Sequence, residues 1–115
     1  MTGTMDSAHL DTDADRLQVS VAPGPYGSAH VTVSGEVDLH DAGDLRGALL
    51  TAVTTYRGAI TVDLHQVTFC DCAGLNALLS ARNTAEQAHR SLRVTATSHT
   101  VERLLQITET RCYLT

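Results

Sequence analysis

Ala59 to Leu79 reads AITVDLHQVTFCDCAGLNALL, and a change of period inside this stretch decides the architecture. In its first part Ile60, Val62 and Leu64 alternate with Thr61 and Asp63, the pattern of a β-branched strand with one apolar face. Further on, Leu75, Leu78, Leu79, Arg82 and Ala85 recur three or four residues apart, which is the period of a helix. Asp71 stands at a natural N-cap, where its carboxylate accepts from N–H groups that the first turn leaves unpaired. His89-Arg90 suit the negative end of the helix dipole. The spacing therefore predicts a strand over 59–64, a loop from His65 to Cys70 and a helix from about Cys72 to His89.

Upstream, Leu17, Val19 and Val21 lie on one side of a period-two run, PGPYG (Pro23 to Gly27) makes a turn, and Ala29, Val31 and Val33 alternate with His30, Thr32 and Ser34. This is a hairpin. After Gly35-Glu36-Val37-Asp38, the residues Ala42, Leu45, Leu49, Ala52, Val53 and Tyr56 fall on one helical face, with Asp38 placed to cap that helix and Arg57-Gly58 to close it. Downstream, Leu92, Val94 and Ala96 form another strand, Ser98 or Thr100 caps a helix holding Val101, Leu104 and Leu105, and Arg111 to Leu114 adds a last extended piece. The order is β-β-α-β-α-β-α with a possible terminal strand. Strands joined through helices pair in parallel by right-handed crossovers, so the expectation is an α/β single domain. It has a mixed β-sheet, an N-terminal antiparallel hairpin plus parallel strands, covered by amphipathic helices around one core.

The chain has 115 residues, 43% of them hydrophobic, which suits one globular domain with a core of Val, Leu, Ile and Ala. Residues 1–15 carry four Asp and no basic residue, and read as a disordered acidic tail ahead of a domain over 16–115. Asp11, Asp13 and Asp15 alternate like the start of a calcium loop, but Arg16 occupies the position that needs Gly and Ala22 the position that needs Glu. The net charge of −5 has the wrong sign for a nucleic-acid or anionic-membrane binder, and the lack of Trp with only three Tyr and one Phe gives no platform for base stacking. No apolar run approaches a membrane span, and the N-terminus lacks the pattern of a signal peptide, so a cytoplasmic location is expected. Three cysteines, at 70, 72 and 112, are free thiols rather than a disulfide framework.

Four segments then carry a resemblance: GEVD (Gly35 to Asp38), VDL (Val62 to Leu64), FCDCAGLNALL (Phe69 to Leu79) and Val101-Glu102-Arg103-Leu104-Leu105. Over residues 17–114 the sequence resembles the STAS-domain family, specifically bacterial anti-sigma factor antagonists, and the D-x-x-G-L stretch is the most specific part. The resemblance implies a noncatalytic interaction module that binds an ATP-binding anti-sigma factor of the serine-kinase type and so releases a sigma factor. In that family the residue after the motif Asp is usually a Ser or Thr that the partner kinase phosphorylates. A phosphate adds about −1.5 to −2 charges, which helix N–H groups accommodate but a partner packed on that turn does not. Here the phosphoacceptor-equivalent position is Cys72 and the next residue is Ala73, so switching by serine phosphorylation is not expected. The resemblance implies a contact patch of Asp38, Asp71, Cys72, Ala73, Gly74 and Asn76, with Ser80 and Asn83 further along the helix.

The same residues admit competing readings. A STAS scaffold subunit of a larger signalling or transporter complex is the alternative within the binding class. A Cys72-based redox switch is the alternative from another class, favoured by the helix dipole and opposed by the neighbouring Asp71 charge. Cys70, Cys72 and His65 supply three ligands at a spacing unlike a zinc site, so no metal or other cofactor is implied. Cys70 and Cys112 read as small core residues, and Glu36 as a solvated strand-end charge. The six His form no metal-like pair, and no nucleophile elbow, Walker loop or dinucleotide glycine loop occurs, so no enzyme activity is expected. The oligomeric state is left open.

Overall fold

The computed structural model describes residues 16–114, apart from the side chains of Arg111 and Cys112. The acidic segment 1–15, its calcium-like pattern and the core reading of Cys112 lie outside the described residues. The chain forms β1 (Gln18–Pro23), a single 3-10 turn (Pro25–Gly27), β2 (Ala29–Val37), α1 (Ala42–Thr55), β3 (Ile60–Cys70), α2 (Cys72–Gln87), β4 (Leu92–Thr97), α3 (His99–Thr108) and α4 (Arg111–Leu114).

The sheet order is β1-β2-β3-β4, with β1 antiparallel to β2 and the other pairs parallel. This is the mixed sheet that the sequence predicts. Across it Ala29, Ile60 and Leu92 stand in one row and Val31, Val62 and Val94 in the next, all buried. The alternate row of Thr32 and Asp63 is only half-buried, so the sheet has one apolar and one polar face. Leu45 and Leu49 of α1, Leu78 of α2, Leu105 of α3 and Leu114 of α4 complete a single core. Burial of such side chains typically contributes about 1.5–3 kcal/mol each.

Four expectations need correction. The segment from His65 to Cys70 is not a loop but the second half of β3, paired with β2 through Val37↔Cys70. Two register shifts conceal it: β3 carries one extra residue between Asp63 and Gln66 and another between Val67 and Phe69. The first places His65 and Gln66 side by side in solvent and returns Val67 to the core, which breaks the simple alternation. Gly35, at the second shift, has φ of 88°, a conformation that favours glycine.

The end of the chain, Arg111–Leu114, is a short helix rather than a strand. Helix α2 stops at Gln87, and His89 takes a left-handed conformation with φ of 61° in the closing turn. Asp38 does not cap α1. The N-cap position is Asp41, whose side chain makes no capping bond, while Asp38 Oδ1 accepts from the N–H groups of His40 and Asp41 and folds the turn that precedes the helix.

Candidate functional site

The end of β3 and the start of α2 bring the motif together. Asp71 has extended backbone geometry, and its Oδ1 accepts from Ala73 N–H at 3.0 Å and Gly74 N–H at 3.2 Å. A cap of this kind contributes about 1 kcal/mol. The Asp71 N–H donates to the Val37 carbonyl, which ties the β3–α2 junction to the end of β2 and sets it beside Asp38. The sequence therefore specifies a first turn that is held from both sides.

Gly74 explains how closely that turn sits. A Cβ on Gly74 would lie 2.7 Å from Val37 Cγ1 and 2.8 Å from Cys70 Sγ, so the helix start approaches β2 at a distance only glycine allows. Gly74 is buried, and of the residues expected in the contact patch it faces the protein rather than solvent. Cys72 and Asn76 are exposed, while Asp38, Asp71, Ala73 and Ser80 are half-buried. Ser80 accepts from Arg46 Nε at 3.1 Å, and Asn83 is exposed. Eleven residues of helix place Asn83 roughly 16 Å along the axis from Cys72.

Two shallow concavities adjoin this turn. One, of about 360 Å³, runs between α1 and α2 and is lined by Gly43, Arg46, Ala73, Asn76 and Ser80. The other, of about 520 Å³, is lined by Asp38, Leu39, His40, Phe69 and Asp71. Leu39 is 79% exposed and Phe69 45%, and the two share this concavity with two carboxylates. Sequence reasoning missed both. The signal for Phe69 was the parity change at His65-Gln66, and for Leu39 an isolated apolar residue between Asp38 and His40 in a turn.

The thiols differ in environment. Cys70 is half-buried against the core, as expected, and burial, followed by the charge of Asp71, pushes its pKa up from the ordinary 9.0 to about 11. Cys72 is exposed. Alkylation of the folded protein at pH 8 is expected to label Cys72 and to leave Cys70 unreacted, with Cys70 reacting once urea unfolds the chain. Peptide mapping reads this, and equal rates at the two thiols in the folded state would contradict it. A raised folded pKa also sets the sign of the pH dependence: the contribution of Cys70 to stability is complete below about pH 9 and is lost as pH rises toward about 11, because the unfolded chain releases this proton first. Among the described residues no cluster of His, Cys, Asp and Glu could hold a metal ion.

The family model described as "Mlab, STAS domain" matches residues 25–110. The chain belongs to the STAS domain family. This STAS domain is similar in structure to an anti-sigma factor antagonist from Mycobacterium paratuberculosis, with TM-score 0.76 and 25% identity over 87% of this chain and 84% of that one. It also shares the fold of the anti-sigma factor antagonist SpoIIAA in its unphosphorylated form, with TM-score 0.71 and 17% identity over 85% and 86% of the two chains. The same fold recurs in the murine anion transporter Slc26a9, with TM-score 0.66 and 13% identity, where 93% of this STAS domain matches 21% of the transporter chain. No curated protein matches the sequence at a significant level. Among the described residues no helix is long and apolar enough to cross a membrane.

Proposed function

We propose that this STAS domain is an anti-sigma factor antagonist: a noncatalytic module that captures an ATP-binding anti-sigma factor of the serine-kinase type in the cytoplasm and thereby frees a sigma factor. The observation that carries the reading is the first turn of α2, capped by Asp71 and held against Val37, with Cys72 in solvent at the position where relatives carry their phosphoacceptor. Asp38, Asp71, Ala73 and Asn76 surround that position, Ser80 and Asn83 extend the surface along α2, and Gly74 serves it from beneath by allowing the close seat.

Leu39 and Phe69 join the patch as apolar anchors, and the carboxylates of Asp38 and Asp71 between them select a partner segment with basic residues. A thiol is a poor acceptor for a serine kinase, so capture here is not ended by phosphorylation of the loop. The test is a pull-down across the cell's anti-sigma kinases with and without ATP, followed by intact-mass measurement of the domain. A kinase is expected in the bound fraction, and the domain is expected to keep its mass after incubation with kinase and ATP, while C72S gains one phosphoryl group. Phosphate on any residue of the 67–79 segment in the natural sequence overturns the switching claim. Recovery of a membrane-associated or high-mass assembly instead of a kinase replaces the antagonist role with a scaffold role.

A further inference from the structure

The two edges of the sheet differ. At one, β4 carries Arg93 and has the short helix α4 beside it. At the other, β1 pairs with β2 alone among the described residues, and its six residues, QVSVAP, hold no charge and follow β2 without a register shift. All of them except Val19 are exposed. An edge of this kind presents a row of unpaired N–H and C=O groups, which charged side chains, bulges or a covering element usually block. Within β1, Pro23 at the strand end is the one residue that serves this purpose.

Beside this edge a shallow groove of about 350 Å³ runs between β1 and α1. Its floor is Val19 and Val21, which stand opposite the buried Val33 and Val31 of β2, and Ala48, Thr51, Thr55 and Tyr56 form its wall. Val21 is 39% exposed. No charged side chain lines the groove, in a chain of which 18% is charged. Free backbone groups along an apolar floor suit an extended segment whose side chains alternate in the same way.

We propose that this segment is β1 of a second copy, paired antiparallel about a two-fold axis through Ser20. Symmetry and side-chain parity set the register. With Ser20 opposite itself, Val19 of each chain faces Val21 of the other on the helix side, Gln18 faces Ala22, and Pro23, which has no N–H to donate, falls outside the ladder. A slip of one residue would put the helices of the second copy on the polar face of the joined sheet. At a net charge of −5 two copies repel, and this neutral edge lets them meet without opposing like charges. The acidic residues 1–15 fit less well, since their four Asp would enter a groove that offers no cation. Two four-stranded sheets become one of eight strands with closed two-fold symmetry. β2 separates this edge from β3, whose end leads into α2, so the pairing is independent of partner capture.

Sedimentation of the full chain with reductant present, at concentrations up to roughly 1 mM, is expected to show a reversible monomer–dimer equilibrium. V21K is expected to weaken the dimer at least about tenfold, and I107K, at an exposed apolar position on α3, by less than about twofold. S20K and S20E are each expected to stay monomeric, because like charges meet on the axis, while an equimolar mixture of the two recovers the dimer. Amide exchange at β1 is expected to slow as concentration rises, and exchange at β2 and β3 reports whether each variant keeps the fold. A chain that stays monomeric throughout, or a dimer that V21K and S20K leave as tight as before, overturns the proposal. Failure of the mixture to recover the dimer overturns the register. Protection of β1 that appears only with a captured kinase assigns the edge to that partner and overturns self-pairing. F69A is expected to leave the dimer unchanged, so this result stands or falls separately from the antagonist role.

Discussion

Gly74→Ala is expected to destabilise the domain by about 1–2 kcal/mol and Gly74→Val by about 3 kcal/mol, despite the helix position. Helix propensity alone predicts the opposite sign for Ala, because glycine inside a helix costs about 1 kcal/mol relative to it. The steric term wins for a reason that the geometry makes explicit. The added Cβ meets the Val37 side chain, the Cys70 sulfur and, at 3.3 Å, the Val37 carbonyl. Val37 is 1% exposed and belongs to the core, so it has no solvent to move into. Overpacking of this kind typically costs about 1–3 kcal/mol, and the two extra methyls of Val bring the larger value. Urea denaturation checks the claim: a lower midpoint with an unchanged m-value is expected. If Gly74→Ala matched or exceeded the natural sequence in midpoint, the start of α2 would be free to shift, and the fixed docking turn would lose its basis.

On the proposed role, L39A combined with F69A is expected to weaken kinase capture about 30-fold or more while lowering folding stability by only about 1–1.5 kcal/mol, the share of Phe69 burial that is lost. Both effects follow from exposure. With 79% and 45% of their surfaces in solvent, Leu39 and Phe69 stand outside the core cluster, and together with Asp38 and Asp71 they line one concavity. Anchors of this type dominate interfaces, whereas rim residues contribute little. N83A, far along α2, is therefore expected to alter affinity by less than about threefold. Calorimetric titration with the captured kinase reads both variants. A double variant that binds as well as the natural sequence would place the interface elsewhere on the domain.

Most of the fold is legible in the sequence because its elements keep a clean period. Ala29, Val31 and Val33 alternate strictly and are buried, and Leu45, Leu49, Ala52 and Val53 recur at helical spacing and are buried. Where a register shift intervenes, the pattern fails: His65 and Gln66 are adjacent and both exposed, which from residues alone is indistinguishable from a loop. Arg111–Leu114 spans only four residues, too few for a period to show. The cap at Asp71 and its junction with a glycine-bearing turn follow from chemistry that is local in sequence. The exposed pair of Leu39 and Phe69 does not, because it arises only when separate segments meet.

The strand order carries a consequence for how the molecule comes into being. Each strand neighbours the one made just before it, so a nascent chain can extend the sheet edge by edge as synthesis proceeds, with no strand waiting for a later insertion between two others. Each parallel pairing still closes a crossover of about 31 residues, as between Ala29 and Ile60, so the closure entropy of those crossovers, not strand insertion, limits the rate of assembly. Leu114 is buried against strands made before it and closes the interior, which makes loss of the Arg111–Leu114 segment more damaging than a four-residue helix suggests.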